Sequence, residues 1–117
     1  MKNARVFLVE NYEGIMKMAI AAMKPEGHQV VLTAGSFTEA KTKIEAAKEK
    51  ANVAVIDSYL GETREGQEVA ELLKAANPEI KIVAFGWDRR PKWGDILNAF
   101  VDKATNPGGL GKAITNL

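Results

Sequence analysis

The chain has no cysteine among its 117 residues. Disulfide frameworks, cysteine nucleophiles and zinc–thiolate centres are therefore excluded, and the absence suits a reducing cytosol. There is one histidine, His28, with no second histidine or acid at ligand spacing, and it reads as a surface residue ahead of a strand. Neither sign of charge prevails: sixteen Lys and Arg stand against fifteen Asp and Glu, for a net charge of +1. A chain without a basic surplus carries no electrostatic footprint for nucleic acid. No stretch approaches the roughly 20 apolar residues that span a bilayer. The apolar run Val6-Phe7-Leu8-Val9 behind the basic start is cut by Glu10, too early for a signal peptide. No Gly-Lys-Ser/Thr follows Gly61 or Gly66, so neither glycine marks a phosphate loop. The expectation is a cytoplasmic protein with no nucleic-acid or membrane partner.

What is present is a globular composition: 46% hydrophobic and 26% charged residues supply a core without a disulfide or structural metal. Val6 to Val9 reads as a strand buried on both faces, as in a parallel sheet. From Tyr12 to Lys24 the apolar residues Ile15, Met16, Ala19, Ile20 and Met23 fall at helical spacing, and Pro25 and Gly27 stop the segment. Gln29 to Leu32 is a second strand. Ser36-Phe37-Thr38-Glu39 has the form of a capping box opening one helix to about Lys50, with Glu39 and Lys43 as an i,i+4 pair. Val53 to Ile56 is a third strand ending on Asp57. After a polar loop from Gly61 to Gly66, Val69, Leu72 and Leu73 mark a helix stopped at Asn77-Pro78. Ile80 to Phe85 is a fourth strand, Asp95 to Asn98 a short helical piece, Ala99 to Val101 a fifth strand, and Pro107 to Leu117 a final helix weakened by its glycines.

Strands alternating with helices imply a parallel sheet with right-handed crossovers on both faces. Five such units in this length give an α/β, doubly wound, flavodoxin-like fold. Sites in such sheets lie beyond the carboxyl ends of the strands. The residues there are Glu10 and Asn11, Asp57, Gly86 and Trp87, and Lys103. An acid cluster with one lysine fits a divalent cation and a phosphoryl group.

At these residues the chain resembles the receiver domains of bacterial response regulators. The resemblance runs from about Ala4 to Ile114 and centres on Val53-Ala54-Val55-Ile56-Asp57-Ser58-Tyr59-Leu60-Gly61. The stretch from Arg64 to Lys74 matches the family's glycine-led third helix, and Phe100-Val101-Asp102-Lys103 the end of its fifth strand. It implies one receiver-like domain over residues 1–117 with no output domain, a stand-alone signalling switch rather than an enzyme. Asp57 would be the phosphoacceptor and Lys103 the cation that pairs with the phosphoryl group. Mg²⁺ would be held by Glu10, Asn11, Asp57 and the backbone carbonyl of Tyr59. The implied partners are a histidine kinase or phosphotransfer protein and a downstream protein.

Departures from the family pattern matter equally. Asn11 stands where a second acid usually binds the metal, and a neutral oxygen predicts weak Mg²⁺ binding. Gly86 replaces the hydroxyl residue that ends strand four, Phe100 stands at the aromatic switch position where Tyr is common, and Ala104 follows Lys103 in place of proline. The alternative is therefore a pseudo-receiver, a phosphorylation-independent protein-binding adaptor. A flavin carrier on the same fold is disfavoured because Glu10-Asn11-Tyr12-Glu13 would repel a flavin phosphate. Trp87 and Trp93, flanking Asp88 to Lys92, read as a cover for the sheet end before they read as a binding surface.

Overall fold

The computed structural model describes residues 1–61, 64–87 and 89–117, so Glu62 and Thr63 of the polar loop and Asp88 between the tryptophans lie outside the described residues. Five strands form one parallel sheet: β1 (Arg5–Val9), β2 (Gln29–Ala34), β3 (Val53–Asp57), β4 (Lys81–Gly86) and β5 (Ala99–Asp102). Their spatial order is β2-β1-β3-β4-β5, so the order reverses between β1 and β3. That is the doubly wound arrangement expected from the alternation, and it places the ends of β1 and β3 side by side. The register pairs Val9 with Ile56 and Asp57 with Phe85.

β3 is buried along its whole length, as a central strand covered on both sides must be. Its side chains alternate between two cores. Val53 and Val55 join Val6, Leu8, Met23, Phe85 and Ile114 under α1 (Glu13–Met23) and α5 (Leu110–Thr115). Ala54 and Ile56 join Phe7, Val69, Leu73 and Trp93 on the opposite face, under α2 (Phe37–Thr42), α3 (Ile44–Lys50) and α4 (Glu65–Ala76).

The single helix expected from Ser36 to Lys50 is two. Ser36 does cap it, accepting from Glu39 N at 3.0 Å, while Glu39 bonds the backbone N–H of Gly35 rather than that of the cap residue. The break falls at Lys43, whose φ and ψ of −107° and 6° leave the helical region. The Thr42 hydroxyl donates to the Glu39 carbonyl at 2.7 Å, a back-bond that bends helices. Lys43 meanwhile carries its ammonium to the Thr33 carbonyl at 2.7 Å and to Glu39 at 3.3 Å. The final helix likewise opens as a 3₁₀ turn, Pro107–Gly109, before α5. Gly111 is there for fit: a Cβ would stand 2.5 Å from the Ala22 carbonyl, so its absence lets α5 close on α1.

Between β4 and β5 the described chain holds only a 3₁₀ turn, Gly94–Ile96. Trp93, 6% exposed, and Leu97 turn inward there and cover the sheet with side chains where a longer crossover would use a helix.

His28 is not a surface residue. It is 5% exposed, its Nδ1 accepts from Ala4 N at 3.1 Å, and its Nε2 faces Gly111 O at 3.1 Å and Thr115 Oγ1 at 2.9 Å. One imidazole thus ties the start of β1 to α5. Accepting at Nδ1 requires the tautomer that carries its proton on Nε2. Removal leaves buried polar groups without partners, so His28→Ala is expected to cost about 1–3 kcal/mol. Urea unfolding of the variant against the parent chain measures it.

Candidate functional site

Each expected site residue is carried to the same edge of the sheet by the strand that precedes it. Glu10 follows β1, and its N–H prolongs the ladder to Ala34 O at 3.0 Å. Asp57 ends β3, and Lys103 follows β5 with its N–H on Gly86 O at 2.8 Å. These carbonyl and amide partners leave the three side chains little freedom of position. The chain meets solvent here only slightly: Lys103 is 3% exposed, Glu10 1% and Asp57 3%.

Lys103 Nζ lies 2.7 Å from Glu10 Oε1 and 3.3 Å from Asp57 Oδ2. The closer contact is an ion pair of poor alignment, since neither Glu10 Oε1 nor Lys103 Nζ has a well-directed hydrogen-bond partner among the described residues. The ammonium also lies over the rings of Phe85 and Trp87, 5.3 and 5.6 Å from their centroids. Trp87, half exposed, therefore leans over the sheet end while Trp93 belongs to the core.

Two carboxylates share one ammonium. The remaining lone pairs find N–H donors: Tyr59 N donates to Asp57 Oδ1 at 3.0 Å and Tyr12 N to Glu10 Oε2 at 3.1 Å. The Asn11 amide lies between the two acids. Hydrogen bonding is satisfied with its nitrogen toward them, donating to Glu10 Oε2 at 3.1 Å and to Asp57 Oδ2 at 2.7 Å. Burial pushes the Glu10 carboxyl up to about 7, against the pull of the Lys103 ammonium and with the Asp57 carboxylate adding to the rise.

Would Mg²⁺ fit these residues? The donors are hard oxygens, two carboxylates are enough when water completes the shell, and Glu10 Oε1 is a buried acceptor without an aligned donor. No group of three or more His, Cys, Asp or Glu suited to a metal occurs among the described residues. The set suits weak binding at most, in which Glu10, Asp57 and, with its amide oxygen turned inward, Asn11 would hold the ion. Tyr59 is exposed in the turn after Asp57, where its N–H is what engages the acid.

Gly86 and Phe100 are neighbours: Phe100 is half-buried, with a ring carbon 3.7 Å from where a Gly86 Cβ would be. Gly66, at the start of α4, is also dictated by space. A Cβ there would stand 2.5 Å from the Asp57 carbonyl and 3.1 Å from the Trp93 ring. The glycine heading that helix lets it close directly onto the strand that carries Asp57. A hollow of about 420 Å³ on the β2 edge, lined by Ile20, Lys24, His28, Gln29, Val30 and Thr33, contains none of these residues. The site lies at the sheet rim instead, with its three charged groups almost out of solvent. Ser58 has no role that its sequence position alone suggests, yet its side chain occupies the space above Gly86. Only the three-dimensional register of β3 on β4 could reveal it.

No family model matches the chain, and no curated protein does. Solved structures do. A receiver domain protein from Methanospirillum hungatei JF-1 superposes with a TM-score of 0.77 over 97% of this chain and 91% of its own, at 23% identity. The response regulator TrrA from Thermotoga maritima, in complex with Mg²⁺ and a beryllium fluoride, gives 0.78 over 99% and 98%, at 21% identity. The isolated receiver domain of RcsB from Salmonella enterica serovar Typhimurium gives 0.78 over 97% and 87%, at 17% identity. The fold is thus that of CheY-like receiver domains: a five-stranded parallel α/β sheet of the flavodoxin-like kind. No helix among the described residues is long and apolar enough to cross a membrane.

The raised Glu10 carboxyl makes stability depend on pH. Below about 4.5 it is protonated in both folded and unfolded chains; between 4.5 and about 7 the unfolded chain releases a proton that the folded chain keeps. Stability of the metal-free protein therefore falls as pH rises through that interval, by about 3 kcal/mol in all. Urea unfolding in EDTA at pH 5 and pH 8 measures the fall, and Glu10→Gln should remove most of it.

Proposed function

We propose that this chain is a receiver in two-component signalling, with Asp57 accepting a phosphoryl group from a histidine kinase or phosphotransfer protein. The observation that carries the reading is the buried Lys103 ammonium 3.3 Å from the Asp57 carboxylate, at the end of the most buried strand of a receiver fold. In the transfer, a lone pair of an Asp57 carboxylate oxygen forms the new O–P bond. The donor's P–N bond breaks and its electron pair stays on the histidine nitrogen. Asp57 gives up no proton, because it enters as the carboxylate. Tyr59 N–H holds one of its oxygens, and Lys103 pairs with the phosphoryl charge as it arrives. A bound Mg²⁺ would neutralise charge on the transferring group. The domain spans residues 1–117, acts as a switch rather than an enzyme, and works in the cytoplasm on a downstream protein.

Coupling to a distant face should be weak. Gly86 offers no side chain for the phosphoryl group to draw in, and Phe100 gains no hydrogen bond by changing rotamer. A ligand shifts an equilibrium only by its differential interaction with the two states.

One observation favours the adaptor reading instead. The Asn11 amide bridges Glu10 and Asp57, so the rim is hydrogen-bonded to itself without a ligand. Intact mass after incubation with Mg²⁺ and acetyl phosphate separates the two. The receiver reading expects one added phosphoryl group that Asp57→Ala abolishes; an unlabelled parent chain favours the adaptor.

Asn11→Asp replaces a neutral amide by a third carboxylate. Mg²⁺ affinity, read by Trp87 fluorescence, should rise by about tenfold or more, the scale of one charge-assisted ligand at 1.4 kcal/mol per decade. An unchanged affinity would mean that residue 11 does not face the cation.

A further inference from the structure

The space above Gly86 is filled by a residue of a different strand. A Cβ built on Gly86 would overlap Ser58 Oγ outright and stand 3.0 Å from Ser58 Cβ. The cause is register. Asp57 of β3 pairs with Phe85 of β4, so the next residues along the chain, Ser58 just after β3 and Gly86 at the end of β4, come side by side. The space that a β4 side chain would fill is thus taken by a hydroxyl-bearing side chain from the end of β3, and only a glycine at 86 leaves room for it. Ser58 is half-buried, and its hydroxyl makes no hydrogen bond among the described residues. Its neighbours hold it in position: the Tyr59 N–H to Asp57 Oδ1 bond closes the turn around it, Phe100 lies alongside Gly86, and Gly66 brings α4 against its backbone.

We propose, building on the assignment of Asp57 as phosphoacceptor, that Ser58 is a phosphoryl-binding residue whose hydroxyl donates to an oxygen of the group carried by Asp57. Charge supplies the reason. The phosphoryl group brings acceptor oxygens and negative charge to a rim whose one ammonium is shared between two carboxylates. A neutral donor next to Asp57 stabilises that charge without adding a cation. Aspartate phosphorylation itself is unchanged: the O–P bond forms on Asp57, the donor's bond to phosphorus breaks with its electron pair leaving on the donor, and Ser58 keeps its proton while sharing it.

The test follows phosphoryl transfer from acetyl phosphate in Mg²⁺ by intact mass, with formation rate and lifetime read together and the thermal midpoint as a check on folding. Ser58→Ala should slow formation or shorten the lifetime by about ten- to a hundred-fold, the loss of one hydrogen bond to a charged group. Ser58→Thr, which keeps the hydroxyl, should retain most of the parent behaviour. The informative variant moves the hydroxyl: Ser58→Gly with Gly86→Thr clears the overlap and returns a hydroxyl from β4, and it should recover much of what Ser58→Ala loses. A space-filling role for Ser58 predicts no such recovery. Parent-like kinetics in Ser58→Ala, or a folded double variant as slow as Ser58→Ala, overturns the assignment of Ser58 alone. A parent chain that takes no label, like Asp57→Ala, overturns the assignment of Asp57 and that of Ser58 with it.

Discussion

Three ionisable groups, two acids and one base, lie almost out of solvent at one end of the sheet, and most of the structure around them can be understood as accommodating that charge. Buried carboxylates cost several kcal/mol each unless they are paired and hydrogen-bonded. Lys103 answers one charge for both, and backbone N–H groups of Tyr12 and Tyr59 and the Asn11 amide supply neutral donors. What is left over appears as the raised affinity of Glu10 for a proton. A site in this condition has an unfilled demand for positive charge, which a proton, a cation or a reorganised lysine can meet. That demand makes it a candidate for ligand-dependent behaviour and not only a piece of architecture.

The scaffold holds these groups by close approach. Gly66 lets α4 touch the Asp57 carbonyl, Gly111 lets α5 touch α1, and Gly86 admits Ser58. In each case the absent Cβ is what brings two elements into contact, and a methyl group would push them apart. His28 ties the start of β1 to α5 through polar contacts at the opposite end of the strand from Glu10. The β4–β5 connection works differently: with only a short 3₁₀ turn among its described residues, it relies on Trp93 and Leu97 to cover the sheet. The surface presented there is set by side chains more than by a helix.

Much was legible in the chain because it depends on local pattern. Short, mostly apolar runs of three to six residues located all five strands, and right-handed crossovers left few ways to order them. The rule that sites lie at strand carboxyl ends then pointed to Glu10, Asn11, Asp57, Gly86 and Lys103, and the fold does bring these positions to one rim. Helix ends were less legible. The break at Lys43 rests on a Thr42 back-bond and on Lys43 reaching Thr33, a residue of another element.

What the sequence by itself determined, then, is the sheet, its order and the rim on which chemistry could occur, since hydrophobic period and chirality act along the chain. What only the tertiary structure decided is how side chains from different strands share space. The burial of His28, the donor orientation of Asn11 between two acids, and the Ser58 hydroxyl above Gly86 all depend on contacts between residues twenty-four or more positions apart. No periodicity encodes such contacts, because they depend on the register in which two strands meet and on the volume a missing Cβ leaves free.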